Sequence, residues 1–185
     1  WSEYWRLYKE GKWQDAVGCR PGVPALTPLM SPRFPHNSTS IPDQIRAEEF
    51  LRELAEREKT GKMPNVVILT LNNDHTNGTR PGSPTPRAMV ADNDLALGRI
   101  VERVSRSRYW KEMAILVIED DAQNGPDHVD SHRSVALVIS PYSRLRSVDS
   151  TFYTTRTMLR TIELLLGLPP LTQYDAAAYP MFRSF

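Results

Sequence analysis

Beyond Pro42 the apolar positions of the chain recur with a helical period in three segments. The first covers residues 43–59, where Asp43 can act as the N-cap and Gly61 follows as a stop signal. Its apolar side consists of Ile45, Phe50, Leu51 and Leu54. The second helix is predicted over residues 88–105, with Leu95, Ile100 and Val104 towards the core, and the third over residues 154–166, ended by Gly167.

Three short, nearly continuous apolar runs alternate with these helices. They are residues 65–71 (NVVILTL), 114–118 (AILVI) and 134–140 (SVALVIS). Runs of this kind are typical of buried parallel strands, so the order of elements predicts an α/β sheet covered by helices. In such sheets ligands bind beyond the carboxyl ends of the strands, which directs attention to the loops that follow them.

The segment before Pro42 has a different character. Three tryptophans precede a proline-rich stretch, in which helices and central strands are both disfavoured. We therefore predict an irregular connection or wrapping segment over residues 1–41 and a separate domain over residues 42–185.

Composition narrows the classes of function. The 185 residues carry a net charge of +1, and no run of like charge indicates a nucleic-acid surface. The longest apolar stretch is too short for a membrane span. Cys19 is the only cysteine, which excludes an intrachain disulfide and a cysteine-based zinc site within these residues.

Carboxylates follow the second predicted strand directly, as Glu119-Asp120-Asp121. This much negative charge requires compensation by a cation or by several donors. Asp120 and Asp121 are therefore candidate metal ligands, and the alternative is a solvated acidic turn or a helix cap.

Histidines lie in the same loops. His128 and His132 are four residues apart, a spacing that brings two imidazoles together on a helix, and His75 follows the first strand in Asp74-His75-Thr76. Each alone is equally compatible with a surface histidine. Three of the four histidines nevertheless fall beside predicted strand ends, and imidazoles combined with carboxylates suit a transition metal. The set favours a metal site, whose natural use is phosphoester hydrolysis.

The motifs Asp74-His75, Asp120-Asp121, Asp127-His128-Val129 and Ser140-Pro141-Tyr142 occur in an order that resembles the bacterial phosphoesterase family. That family includes phospholipase C-type and acid phosphatase enzymes of the alkaline phosphatase superfamily, and one subgroup carries the domain behind a β-propeller. The resemblance covers roughly residues 42–180, and residues 159–163 (LRTIE) match a further helix signature. It implies a three-layer α/β/α fold with a mostly parallel sheet, of which this chain is the C-terminal part.

The resemblance also implies roles for these residues. Asp120 and Asp121 would bind a divalent ion (zinc, manganese, iron or calcium), while His75, His128 and His132 would contact the phosphate or complete the metal shell. A hydroxyl nucleophile would attack phosphorus and water would release the covalent phosphoenzyme. The resemblance also implies a secreted or periplasmic location, which the residues themselves leave undecided.

Two departures from the family pattern stand out. No counterpart of the family's N-terminal metal-binding motif or its Ser or Thr nucleophile precedes residue 42, so the chain is expected to need an N-terminal portion for activity and stability. Ser150 also replaces a histidine found in many phospholipase C-like members, which weakens a phospholipase interpretation.

The prediction is metal-dependent hydrolysis of a phosphate ester, with no nucleic-acid partner and no membrane span. The alternative from another class is a binding or structural protein with a phosphatase-like fold. A sulfatase or phosphoglycerate mutase is a weaker enzymatic alternative, because the Asp-His-Val and Ser-Pro-Tyr signatures fit those branches less well.

Overall fold

A computed structural model describes residues 1–13, 22–120 and 134–185. The chain divides into two compact units, Trp1–Ser107 and Arg108–Phe185. The domain boundary predicted between residues 41 and 42 falls inside the first unit.

The first unit is helical. Helix α1 (Ser2–Lys9) is followed by a 3₁₀ segment (Pro24–Leu29), and helices α2 (Asp43–Thr60) and α3 (Pro86–Ser105) flank a 3₁₀ turn (Asn73–His75). Both long helices agree with the sequence prediction within two residues. Gly61 ends α2 with a φ of 71°, the left-handed conformation that glycine adopts without steric cost.

Helix α1 lies in the segment for which the sequence predicts irregular chain. Its aromatic and aliphatic side chains pack on a buried cluster of Trp13, Ile41 and Ile45. Packing of an amphipathic face stabilises a short helix that would be marginal alone. This helix of about two turns is therefore fixed by tertiary contacts rather than by a strong local signal.

Helices α2 and α3 pack against each other. Leu54 of α2 is buried, and the buried positions of α3 are Met89, Ala96, Ile100 and Val104. Leu95 was predicted to face the core, but its side chain is 57% exposed. It lies one residue before Ala96, and one residue rotates a helical side chain by about 100° away from the buried stripe.

The first predicted strand, residues 65–71, forms no ladder in the described part of the chain. Val66 and Val67 are both 46% exposed and Ile68 is 91% exposed. The prediction of a buried strand there was wrong, because β-branched residues favour a pleated surface only where a neighbouring strand and a packed face are supplied.

The second unit contains the other two predicted strands, β1 (Ile115–Ile118) and β2 (Ala136–Ile139). They pair antiparallel, with Ile115 opposite Ile139 and Ile118 opposite Ala136. Parallel pairing would require a crossover that returns the chain to the same end of the sheet. The described residues thus show helices and a small antiparallel sheet, and not the mostly parallel sheet that the resemblance implies.

Helix α4 (Thr155–Leu166) begins with a capping box between Thr154 and Thr157 and ends at Gly167, whose φ is 66°. A short helix, α5 (Gln173–Ala176), has a second capping box, formed by Thr172 and Asp175. Short 3₁₀ turns complete the unit at Trp110–Glu112 and Phe182–Ser184. Among the described residues, no helix has the length and apolar character needed to cross a bilayer.

Candidate active site

The turn Asn72–His75, which carries the first predicted histidine, is held by a carboxylate of α2. Asp43 is fully buried, and its Oδ1 accepts the backbone N–H of Asn72 at 3.0 Å while its Oδ2 accepts that of Asn73 at 2.9 Å. The sequence assigns Asp43 to the cap of its own helix. That assignment was wrong: Pro42 is the N-cap, and the Asp43 side chain makes no capping bond.

Asp43 is also paired with a buried cation. Arg46 Nη1 donates to Asp43 Oδ1 at 2.8 Å, and both side chains are fully buried. The guanidinium also donates to the backbone carbonyls of Ile41, His36 and Ser38. Burial lowers the pKa of Arg46 below its ordinary value, and the Asp43 charge opposes that shift.

Helix α3 supports the turn from its other side. Asp92 Oδ2 accepts from the Asn73 side-chain amide at 2.8 Å and from the backbone N–H of Asp43 at 2.6 Å. Burial raises the pKa of the Asp92 carboxyl, and the bond from Asn73 partly offsets this effect. Asn93 Nδ2 adds a bond to Asp43 Oδ2 at 3.0 Å.

The residue after the histidine has an unusual backbone conformation. Thr76 has φ 58° and ψ 178°, a region that is essentially restricted to glycine. Its backbone N–H donates to Asn73 O at 3.2 Å, and its hydroxyl accepts from Gly78 N at 3.2 Å. For a β-branched residue this conformation costs on the order of 1–3 kcal/mol, which the surrounding contacts must supply.

The Thr76 conformation orients the imidazole of His75. The carbonyl oxygen of Thr76 lies 3.0 Å from His75 Nδ1. A carbonyl oxygen can only accept, so Nδ1 is the donor in this contact, and the neutral tautomer that fits it has its lone pair on Nε2. Both Asp74 and His75 are exposed. A backbone partner on one ring nitrogen is the usual arrangement for a histidine that uses the other as a ligand or acceptor.

The second predicted loop follows β1. Asp120 is exposed at the end of this strand. The neighbouring Glu119 is occupied by the ladder: its backbone N–H donates to Val135 O at 3.0 Å, and its carbonyl accepts from Ser134 Oγ at 2.9 Å. Glu119 is therefore tied to the residues that lead into β2, whereas the Asp120 side chain is exposed.

The remaining predicted site residues, Asp121, His128 and His132, lie outside the described residues. His75 belongs to the first compact unit and Asp120 to the second. Within the described residues, no group of three or more histidine, cysteine, aspartate or glutamate side chains is arranged to hold a metal ion. The ligand set therefore stays a prediction.

The other family motifs serve the fold of the second unit. Ser140 is buried, its Oγ accepts the backbone N–H of Tyr142 at 3.1 Å, and Tyr142 Oη donates to Lys111 O at 2.9 Å. Glu163 of the predicted helix signature is buried and pairs with Arg160 at 3.1 Å. These contacts make Ser140-Pro141-Tyr142 and the helix signature structural features of this unit.

Asp149 precedes Ser150, the residue at which this sequence departs from the family pattern, and its carboxylate accepts hydrogen bonds that hold the turn around residues 149–153 together. Its carboxylate accepts from Thr151 N at 3.0 Å, Tyr153 Oη at 2.7 Å and Ser184 Oγ at 3.1 Å. Bonds from Thr151 and Tyr153 hold the pKa of Asp149 well below its usual range.

Sequence reasoning missed the buried polar cluster around Asp43. Asp92 and Asn93 provide the signal that reveals it, since they lie three and four residues after the buried Met89 and precede the buried Ala96. Those are positions of the buried stripe, where an apolar side chain is expected. Polar residues at such positions indicate a buried hydrogen-bonded cluster.

Comparison with known proteins gives one match. The Phosphoesterase family model matches residues 5–169 of the chain. No curated protein and no solved structure matches it significantly.

Proposed function

The chain belongs to the phosphoesterase family, and from this membership, which supports hydrolysis of phosphate esters, we propose a metal-dependent phosphatase or phosphodiesterase reaction. We place these residues in the C-terminal part of an alkaline phosphatase-like domain whose mostly parallel sheet is completed by chain outside the sequence. The Ser or Thr nucleophile would lie in that other part.

The single observation that carries the proposal is the orientation of His75. Its Nδ1 lies against the Thr76 carbonyl on an exposed ring, and in the neutral tautomer that fits this contact the lone pair would be on Nε2. This arrangement suits a neutral imidazole that accepts a proton, contacts a phosphate-bound hydroxyl or ligates a metal. The buried bonds beneath the turn supply the rigidity that such a contact requires.

The donor types fit a divalent ion. We propose Asp120 and Asp121 as its ligands, with His75, His128 and His132 contacting the phosphate or completing the metal shell. Carboxylate oxygens and imidazole nitrogens together suit zinc, manganese or iron, and carboxylates alone suit calcium. When bound, the ion would neutralise charge on the non-bridging phosphate oxygens.

This chain's own residues have a limited part in the reaction. The aspartates would hold the ion in place, and His75 would orient the phosphate or exchange a proton through Nε2. The attacking hydroxyl and its activation would come from outside these residues. The hydroxyl of Ser150 cannot replace a histidine imidazole as the general acid. Protonation of the leaving group would therefore depend on another residue or on water.

The test begins with the protein as purified. Metal content is measured first, followed by turnover of p-nitrophenyl phosphate and bis-p-nitrophenyl phosphate before and after chelation. We expect bound metal, and, where the portion carrying the nucleophile is present, hydrolysis that stops with the chelator and returns with added ion. Bound metal without hydrolysis would indicate that the nucleophile is supplied by a separate portion, and absence of both would favour a non-catalytic binding protein.

Matched variants test whether Asp120 binds the metal and whether His75 takes part in turnover. Asp120→Asn should lower metal occupancy and turnover together, whereas Asp94→Asn, a change to an exposed carboxylate of α3, should alter neither. His75→Gln should reduce turnover on the order of 10²-fold, as loss of a positioned acid–base group does. His36→Gln is the control for this substitution, because His36 is not one of the proposed site residues, and it should leave turnover unchanged. Full activity in Asp120→Asn would refute the metal assignment.

A further inference from the structure

The buried carboxylate of Asp43 contacts the turn that carries His75, and we propose that Asp43 is a positioning residue for this histidine. The inference rests on the proposed function, because it assumes that His75 acts at the phosphate or the metal. Asp43 itself would touch neither. Its role would be to fix the backbone of Asn72–His75 so that Nε2 of His75 is presented in one orientation.

The four acceptor sites of the Asp43 carboxylate are all used. Oδ1 accepts from Asn72 N and Arg46 Nη1 at 3.0 and 2.8 Å, and Oδ2 accepts from Asn73 N and Asn93 Nδ2 at 2.9 and 3.0 Å. An ionised carboxylate offers about four lone-pair sites, so the group is saturated. Bonds to an ionised acceptor are roughly twice as strong as neutral ones.

Two of those donors are consecutive backbone N–H groups immediately before Asp74 and His75. A backbone donor has no rotamers, so its bond fixes the position of the main chain directly. On the other side of His75, the strained Thr76 is tied back to Asn73 O. The short segment bearing the imidazole is thus anchored at both ends, and its start is anchored to the long helix α2.

Stability alone gives a weak reason for this construction. Buried ion pairs are often no more stabilising than apolar residues of similar volume, because both charges must be removed from water. Here the buried Asp43–Arg46 pair supports a turn whose Asp74 and His75 side chains are exposed. A rigid support beneath exposed polar side chains is the arrangement expected of a preorganised site.

Asp43→Asn tests the proposal, with Glu49→Gln as the matched control. Glu49 lies on the same helix, is fully buried, and pairs with Arg33 at 3.0 Å, away from the turn. Each substitution replaces a buried carboxylate with an amide of the same shape. Both proteins are assayed with bis-p-nitrophenyl phosphate at a temperature where circular dichroism shows them folded.

We expect Asp43→Asn to lower kcat at least tenfold, towards the 10²-fold that a misplacement of about 1 Å costs, with KM within about threefold. Glu49→Gln should keep the kcat of the folded protein. Nitrogen NMR of the imidazole provides a second readout, in which His75 changes from a single Nδ1–H tautomer to a mixture only in Asp43→Asn. Equal kcat losses in the two variants, or an unchanged His75 tautomer, would overturn the proposal.

The design separates failure of the inference from failure of the proposed function. If the wild type shows no hydrolysis, kcat cannot be compared, and the His75 tautomer together with hydrogen exchange at the Asn72 and Asn73 amides decides the inference. The proposed function itself fails only if bound metal is absent as well. If Asp43→Asn does not fold, Asn93→Ala takes its place, since it removes one donor to Oδ2 and leaves the pair with Arg46. We then expect a several-fold loss of kcat, and an unchanged kcat and tautomer would refute the positioning role.

Discussion

Replacement of Arg46 with alanine is the most demanding test of the buried cluster in the first unit. The guanidinium is fully buried and bonds to Asp43 Oδ1 at 2.8 Å, to Ile41 O at 2.8 Å, and to the carbonyls of His36 and Ser38 at 2.9 Å each. Its removal would leave a buried carboxylate without its cation and would take a donor from each of three carbonyls. Ile41 O would keep the bond from Asn73 Nδ2, and Ser38 O would keep the bond from Ile41 N.

The expected loss follows from these contacts. Breaking a buried ion pair by removing one partner costs about 3–5 kcal/mol. Asp43 would keep the donors Asn72 N, Asn73 N and Asn93 Nδ2, which limits the cost of its own burial. The loss of the guanidinium bonds to the three carbonyls adds to the cost, most of all at His36 O, unless water reaches them. We therefore expect a loss of about 4 kcal/mol, a large part of the 5–15 kcal/mol typical of a domain.

Urea denaturation followed by tryptophan fluorescence measures this loss. Trp1, Trp5 and Trp13 lie in the first unit, and Trp13 is buried beside Ile41 and Ile45. The urea midpoint of Arg46→Ala should fall at an unchanged m-value.

Two further variants make the measurement specific. Lys59→Ala removes the exposed pair with Glu56, at 2.7 Å, and should change stability by no more than about 0.5 kcal/mol. The double variant Asp43→Ala/Arg46→Ala should lose less than the sum of the two single losses, because neither charge is then left unpaired. A loss below about 1 kcal/mol for Arg46→Ala, or strictly additive losses, would show that the buried pair is not formed as described.

Three other outcomes are expected. Thr76→Gly should exceed Thr76→Ala in stability by about 1 kcal/mol, because both variants lose the hydroxyl but only glycine relieves the strained φ. The reverse order, which is usual elsewhere, would contradict the backbone conformation. The Thr172 hydroxyl and backbone N–H groups lower the pKa of Asp175 to about 2, so its stabilisation is complete above about pH 4 and lost as pH falls towards 2. The stability gap between wild type and Asp175→Asn should close over that range in circular dichroism, and a pH-independent gap would refute the assignment. Ile45→Ala should cost about 2–5 kcal/mol in urea denaturation, and a loss under 1 kcal/mol would contradict the buried cluster that it shares with Trp13.

The long helices could be predicted from sequence because local signals determine them. Periodic apolar positions and the terminal glycines Gly61 and Gly167 place α2 and α4 within one or two residues of their observed ends. Strands β1 and β2 were also predicted from short apolar runs, although the same kind of run at residues 65–71 forms no strand in the described part of the chain. Their antiparallel pairing depends on which partner each strand meets, and no local pattern encodes that choice.

The candidate site was predictable only in part. Asp74-His75 and Asp120 were predicted as site residues from their position beside apolar runs, and their roles stay predictions. The support beneath the turn was missed, because it joins Asp43, Asn73 and Asp92 from three separate segments. The Thr76 conformation was also inaccessible, since threonine gives no sign that its neighbours hold it in a region favoured by glycine.

The exposed apolar run at Val66, Val67 and Ile68 affects the tendency of the chain to aggregate, both during folding and in the folded state. A β-branched, uncharged segment of this kind is a template for intermolecular strand pairing. Lys62 and Pro64 precede it, and Asn72, Asn73 and Asp74 follow it. Charges and prolines at these positions act as gatekeepers that interrupt cross-β growth. The sequence thus retains a segment that could pair with other chains, while its flanking residues limit the length over which identical copies can stack.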